Sequence, residues 1–157
     1  MDEQGKKIEV ALETLLDSVD LAETVVVGIA ESSGFPEEEC HKIGMAVRES
    51  VINAYNYGNQ RERAKKILLT VELFPKKMVV RVLDQGTGFD AQAIPDCLAE
   101  ENLLRTSGRG LFLIRAFMDD FEVQRGTAGG AELVMTKFFP APGSSNGGSP
   151  ARAPEEN

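Results

Sequence analysis

Apolar and polar residues alternate along Lys7–Leu12, with Ile8, Val10 and Leu12 on one side, and this period of two predicts a short, half-buried strand. The period then lengthens. Leu21, Val25 and Ile29 recur at helical spacing and predict a helix from about Ser18 or Asp20 to Ser33. Asp17, Ser18 and Asp20 are all acceptable N-caps, and Gly34 is a natural stop. Phe35-Pro36 followed by three glutamates predicts a second helix, with Pro36 in its first turn and the acids against the positive end of the dipole. It runs through Ile43 and Val47 to Tyr57 and ends at Gly58. After a charged connector, Ile67–Phe74 and Met78–Leu83 are rich in β-formers, and Pro75-Lys-Lys between them predicts a hairpin. Residues 90–107 have weak periodicity and one proline, and read as a long excursion; loops of that length inside a domain are usually functional. Leu111 to about Met118 predicts a third helix, and Phe121–Gln124 and Glu132–Phe139 two closing strands.

The order strand, helix, helix, hairpin, loop, helix, strand, strand predicts an α+β two-layer sandwich. A mixed, largely antiparallel sheet is covered on one face by helices. It lacks the regular βαβ alternation of a dinucleotide-binding fold. Residues 6–139 are expected to form one domain behind a flexible segment 1–5. From 140 to 157 the composition turns to Pro, Gly, Ser, Asn and Ala, and a tail with so little apolar bulk is predicted to be disordered.

A net charge of −8 argues against a nucleic-acid surface, which needs a basic stripe. It leaves room for an anionic small molecule, which backbone amides and one or two arginines can hold. No window approaches the ~18 apolar residues of a membrane helix. Met-Asp-Glu-Gln-Gly-Lys-Lys has no apolar core and does not read as a signal peptide. Cys40 and Cys97 lie far apart without metal-ligand spacing, so reduced thiols in a cytoplasmic protein are expected.

Three polar groups interrupt this pattern. Glu49 and Asn53 are four residues apart, so on a helix they stack on one face. Oxygen donors there could hold a hard cation and a carboxylate could order or deprotonate a nucleophile; two polar groups facing water would look the same. Asp84-x-Gly86-x-Gly88 ends an apolar strand, and its glycines let a flat ring or a phosphate approach the main chain, although Asp and Gly also make ordinary turns. Ser107-Gly-Arg-Gly110 precedes a helix, where free N–H groups and the dipole favour an anion and Arg105 and Arg109 could add charge-assisted bonds; a plain glycine-containing loop is the alternative. No Gly-Lys-Ser/Thr follows, so this is not a Walker loop.

Taken in this order, the three groups resemble the Bergerat-fold (histidine kinase-like) ATP-binding family. Val47-Arg-Glu-Ser-Val-Ile-Asn-Ala-Tyr-Asn-Tyr-Gly-Asn59, Leu83-Asp-Gln-Gly-Thr-Gly-Phe89 and Ser107-Gly-Arg-Gly-Leu-Phe-Leu-Ile114 narrow the resemblance to the anti-sigma factor serine/threonine-protein kinases, over about residues 6–139. The resemblance implies that Asn53 coordinates a Mg²⁺ bridging the ATP phosphates and that Glu49 is the general base toward a protein hydroxyl. It implies that Asp84 binds the adenine amino group in a pocket formed by Gly86 and Gly88, that Gly108 and Gly110 contact phosphates, and that residues 90–107 are the ATP lid. It implies as partners a sigma factor and a STAS-type anti-anti-sigma protein, and often a homodimer.

The chain departs from the family pattern at three places. Asn56-Tyr57 stands where a histidine is common, and His41, the single histidine, reads as a surface residue. Ala131 stands where many members have a threonine near the adenine, so that contact is expected to be missing or to have moved to Thr136. The tail lies outside the family core. Two other functions fit the same motifs less fully: a module that sequesters a partner without phosphotransfer, and the catalytic domain of a histidine kinase, which calls for a phosphoacceptor helical hairpin.

Overall fold

The computed structural model describes residues 5–86, 109–126 and 129–141. The elements run β1 (Lys6–Glu13), α1 (Asp17–Ser33), α2 (Glu37–Asn53), a π-helical turn (Ala54–Gly58), β2 (Lys66–Leu73), β3 (Lys77–Leu83), α3 (Arg109–Phe117), β4 (Asp120–Arg125) and β5 (Ala131–Phe138). Apart from the π turn this is the predicted order, with most ends moved by only a residue or two.

The five strands form one sheet in the order β1-β2-β3-β5-β4. All four pairings are antiparallel, so the expected α+β sandwich with a largely antiparallel sheet is present, and no described pairing supplies the parallel part of a mixed sheet. The cause lies in the helices. A single crossover helix returns the chain to the start of the sheet and makes the next strand parallel. Here α1 and α2 form an antiparallel pair, so the chain comes back to the end where β1 finished and β2 runs down beside it. The β3–α3–β4 crossover does give parallel strands, but β5 inserts between them.

The helix layer covers the face formed by Ile67, Leu69, Val71, Val80, Val82, Leu133 and Met135, which alternate with outward positions as the pleat requires. Val26, Ile43, Val47, Val51 and Ile114 close the core from the other side. Each such side chain contributes about 1.5–3 kcal/mol by leaving water. The opposite sheet face is mixed, with Leu68, Val79 and Val134 beside Arg81, which lies between Glu72 (3.1 Å) and Glu132 (3.8 Å).

Local details differ from the cap assignments. α1 begins one residue before Ser18, and its N-cap position is Leu16, without a side-chain cap. Ser18 is engaged elsewhere: its Oγ donates to the Glu13 carbonyl at 2.6 Å, tying the helix to β1. Pro36 occupies the N-cap of α2 rather than its first turn, with extended backbone (φ −62°, ψ 156°). Gly34 ends α1 in the left-handed region at φ 103°, as its position predicts. Buried Lys137 pins the far ends of the helices to the sheet: its Nζ meets Glu39 Oε1 and donates to the Phe117 carbonyl, both at 2.8 Å.

Candidate functional site

α2 ends at the rim where β3 finishes and β5 and α3 begin, and the motif residues gather there. Glu49 and Asn53 lie on the side of α2 that faces the start of α3. A Cβ on Gly110 would stand 2.9 Å from Glu49 Oε1 and 3.4 Å from Asn53 Nδ2. The helix start therefore abuts both side chains, and glycine is the residue that allows it. Glu49 and Asn53 are half-buried, and neither makes a hydrogen bond or ion pair with the described residues. Arg48, beside Glu49 in sequence, is committed elsewhere: its Nη1 pairs with Glu23 Oε1 at 3.0 Å and with Asp20 on α1.

Past Asn53 the helix widens into the π turn, closed by an Asn59 N–H that donates to the Ala54 carbonyl at 2.7 Å. Such wide turns are rare and concentrate at functional sites. Sequence reading had the helix continuing unchanged to Tyr57; the widening carries Gly58 against Asp84. A Cβ on Gly58 would fall 2.0 Å from Asp84 Oδ2, and one on Gly86 1.9 Å from the Gly58 carbonyl oxygen. On the far side Gly130, at φ +74°, leaves room for the Asp84 main chain.

Asp84 is buried, at 6% exposure, and its two oxygens differ. Oδ1 accepts from the Gly86 N–H (2.9 Å) and the Ala131 N–H (3.0 Å). Oδ2 faces Gly58 and has no donor among the described residues. A buried carboxylate oxygen without a donor is costly, so the arrangement is poised to accept a hydrogen bond from a ligand. Ala131, in the threonine position of the family pattern, contributes here through its main-chain N–H.

Sequence reading missed Asn59. It is fully buried, at 0% exposure. Its Nδ2 donates to Thr14 Oγ1 (2.8 Å) and the Lys66 carbonyl (3.0 Å), and its Oδ1 accepts from the Gln85 N–H (2.7 Å). The following Gln-Arg-Glu-Arg disguises it as the start of a solvated connector; the signal available was an Asn-Gln pair closing a helix directly after glycine.

The structure does not bring Thr136 to this rim. It lies five positions beyond Ala131 on β5, opposite Val79 and Asp120, about 17 Å away at ~3.4 Å per residue. The odd offset also turns it to the sheet face opposite the helices, away from Asp84. His41 is exposed as expected, and Tyr57 is 54% exposed. Gly88, Arg105, Gly108, Cys97 and the proposed lid at 90–107 lie outside the described residues, as does the side chain of Arg109. The described residues contain no group of three or more His, Cys, Asp or Glu side chains able to hold a metal. Asn53 Oδ1, unengaged by the described residues, is an oxygen that could hold a hard cation.

Among the described residues, Glu39 and Cys40, both away from the rim, are perturbed. The hydrogen bond from Lys137, aided by its charge and that of Lys42, holds Glu39 below the ordinary carboxylate value against the opposing effect of burial. Burial, then the charges of Glu31, Glu39 and Glu37, pushes the Cys40 thiol up. Neither belongs to the site.

Comparison with known proteins agrees with this geometry. Residues 12–137 match the histidine kinase-like ATPase domain family. The serine-protein kinase RsbW of Listeria innocua is 30% identical over 139 residues, 85% of this chain and 87% of that protein. RsbW of Bacillus cereus is 24% identical over 156 residues, 96% of each. Among solved structures, the RsbU and RsbW domains of Rv1364c from Mycobacterium tuberculosis superpose with a TM-score of 0.60 at 16% identity, over 85% of this chain and 32% of that one. The mycobacterial sensor histidine kinase MprB gives a TM-score of 0.54 at 12% identity, over 84% of this chain and 98% of that one. At these identities the two structures speak for the fold alone. The chain belongs to the histidine kinase-like ATPase family and, within it, to the anti-sigma factor serine-protein kinases.

Proposed function

We propose that this protein binds ATP with Mg²⁺ at the rim and transfers the terminal phosphoryl group to a serine or threonine of a STAS-type anti-anti-sigma protein, alternating that partner with a sigma factor. The observation that carries the proposal is the convergence of two half-sites. One is the Glu49–Asn53–Gly110 cluster, with polar groups unengaged by the described residues; the other is Asp84, with one oxygen satisfied by the fold and the other without a donor among the described residues.

Asp84 Oδ2 accepts from the adenine amino group, while Gly58 and Gly86 let the π turn and the β3 end close against each other beside it; Gly88 belongs to the same adenine pocket. Asn53 Oδ1 is the protein ligand of Mg²⁺, which supplies charge neutralisation at the phosphates. Main-chain N–H groups at Gly108 and Gly110 and the guanidinium groups of Arg105 and Arg109 serve the phosphates, and residues 90–107 cover them. Glu49 accepts the proton of the attacking hydroxyl as its oxygen bonds to the γ-phosphorus and the bond from that phosphorus to the β,γ-bridging oxygen breaks, leaving ADP. Little covalent work falls to the protein in such a transfer; positioning and charge dominate. A homodimer and a cytoplasmic setting, where sigma factors act, complete the reading.

The experiment is incubation with ATP, Mg²⁺ and cognate STAS proteins, read by phosphopeptide mass spectrometry. Wild type is expected to produce phosphoserine or phosphothreonine and Glu49→Gln to lose about 10²–10⁴-fold in rate while still binding ATP. ATP binding without transfer to any cognate STAS protein would reduce the function to sequestration.

A further inference from the structure

We propose that Asn59 is a positioning residue for the nucleobase, the joint that fixes the two walls beside Asp84 against each other. The inference rests on the nucleotide reading above and adds a residue to it.

One wall is the π turn ending at Gly58; the other is the β3 end, Asp84 to Gly86. Their separation has almost no slack, because a single added carbon on either glycine would overlap the opposite wall at 1.9–2.0 Å. Asn59 spans them. Its Oδ1 accepts the Gln85 N–H at 2.7 Å, one residue past Asp84, while its own N–H closes the π turn on Ala54. Both Nδ2 hydrogens are spent on fixed oxygens, Thr14 Oγ1 and the Lys66 carbonyl, so the carboxamide cannot rotate. Thr14 is held in turn, donating to the Lys65 carbonyl at 2.7 Å. Gln85 is gripped from its other end by the Lys66 N–H, which donates to Oε1 at 2.6 Å. A buried amide with both donors and its acceptor oxygen engaged, at the junction of α2, β2 and β3, fixes where the Asp84 carboxylate stands relative to a base lying over Gly58.

The test separates positioning from bulk stability by using two bases. ATP presents a 6-amino donor to Asp84, whereas ITP presents a 6-oxo acceptor that a carboxylate repels. Equilibrium binding of both nucleotides with Mg²⁺ is measured by calorimetry on the full chain. Wild type is expected to prefer ATP by at least about 10-fold. Asn59→Ala is expected to reduce that preference to below about 3-fold, chiefly by weakening ATP, whereas loss of fold weakens both nucleotides alike. Thr14→Val removes the anchor without touching Asn59 and is expected to lower the preference in the same direction by about 3-fold; it decides the matter if Asn59→Ala does not fold. A folded variant with the wild-type preference overturns the role of Asn59. A wild type that does not distinguish the two nucleotides overturns the Asp84 reading and this inference with it.

Discussion

Replacing Gly110 with alanine separates stability from chemistry at this site. Gly110 is buried in the first turn of α3, where a glycine costs about 0.5–1 kcal/mol relative to alanine. The new methyl would stand 2.9 Å from Glu49 Oε1, closer than an ordinary contact of about 3.5 Å, while Asn53 Nδ2 at 3.4 Å is tolerable. The obstructing atom is the free end of a flexible side chain, so the carboxylate withdraws by roughly half an ångström at little cost. Thermal stability is therefore expected to hold or rise by up to ~1 kcal/mol. Phosphotransfer is expected to fall about 10–100-fold, since a misplacement on the order of 1 Å can cost about 10²-fold. ATP affinity is expected to change by less than about 3-fold, because the Gly110 N–H and Asn53 stay in place. Single-turnover transfer to a STAS substrate, ATP calorimetry and a thermal melt measure the three quantities. Because the effect acts through Glu49, adding Gly110→Ala to Glu49→Gln is expected to slow transfer no further. An unchanged rate in the single variant, or additive losses in the double variant, would refute the assignment.

Gly86→Ala is expected to do the opposite, because its Cβ meets the Gly58 carbonyl at 1.9 Å and backbone cannot step aside. A loss of about 1–3 kcal/mol in urea denaturation, together with lost ATP binding, checks this. Glu39→Gln tests linkage: a carboxyl held below its ordinary 4.5 in the folded state stabilises above that pH, and the contribution is lost as pH falls through the folded value. The stability gap between wild type and Glu39→Gln is expected to be constant near neutrality and to close on acidification below about pH 4.5 in pH-dependent denaturation. Cys40, buried and with its thiol pushed up, is expected to resist iodoacetamide at pH 8 in the native protein and to react on unfolding, as read by peptide mass spectrometry.

The elements were legible because period and punctuation agree along this chain. Alternation in Ile8–Leu12 and the glycine at 34 mark ends that the structure keeps. What escaped is long-range or depends on one polar side chain. The antiparallel sheet follows from α1 and α2 packing as a pair, a tertiary fact that element order alone leaves open. The π turn hides inside an unbroken helical pattern, since one widened turn alters no hydrophobic position before Gly58. Asn59 and Lys137 carry residue types usually found at the surface, and only their partners reveal that they are buried. Thr136 is different, because parity could have rejected it: a residue five positions along a strand faces the other way. The Glu49–Asn53 pair and Asp84 were legible as motifs, but the asymmetry between the two Asp84 oxygens needed coordinates.

That asymmetry connects the fold to its proposed chemistry. A carboxylate buried at a strand end must be satisfied or left wanting, and here the described residues supply two main-chain donors to one oxygen and none to the other. Gly58, Gly86 and Gly130 surround it because a Cβ on Gly58 or Gly130 would strike Asp84 and one on Gly86 would strike the Gly58 carbonyl. The proposed recognition thus rests on β3, β5 and the π turn, whereas Glu49 and Asn53 are aimed by the contact of α2 with α3. Continuous chain from Asn53 through the π turn to Asn59 joins the two halves. Substitutions on either side of that joint are accordingly expected to separate cleanly. Those at Glu49 or Gly110 slow transfer with ATP still bound, and those at Gly86 or Asn59 weaken ATP itself.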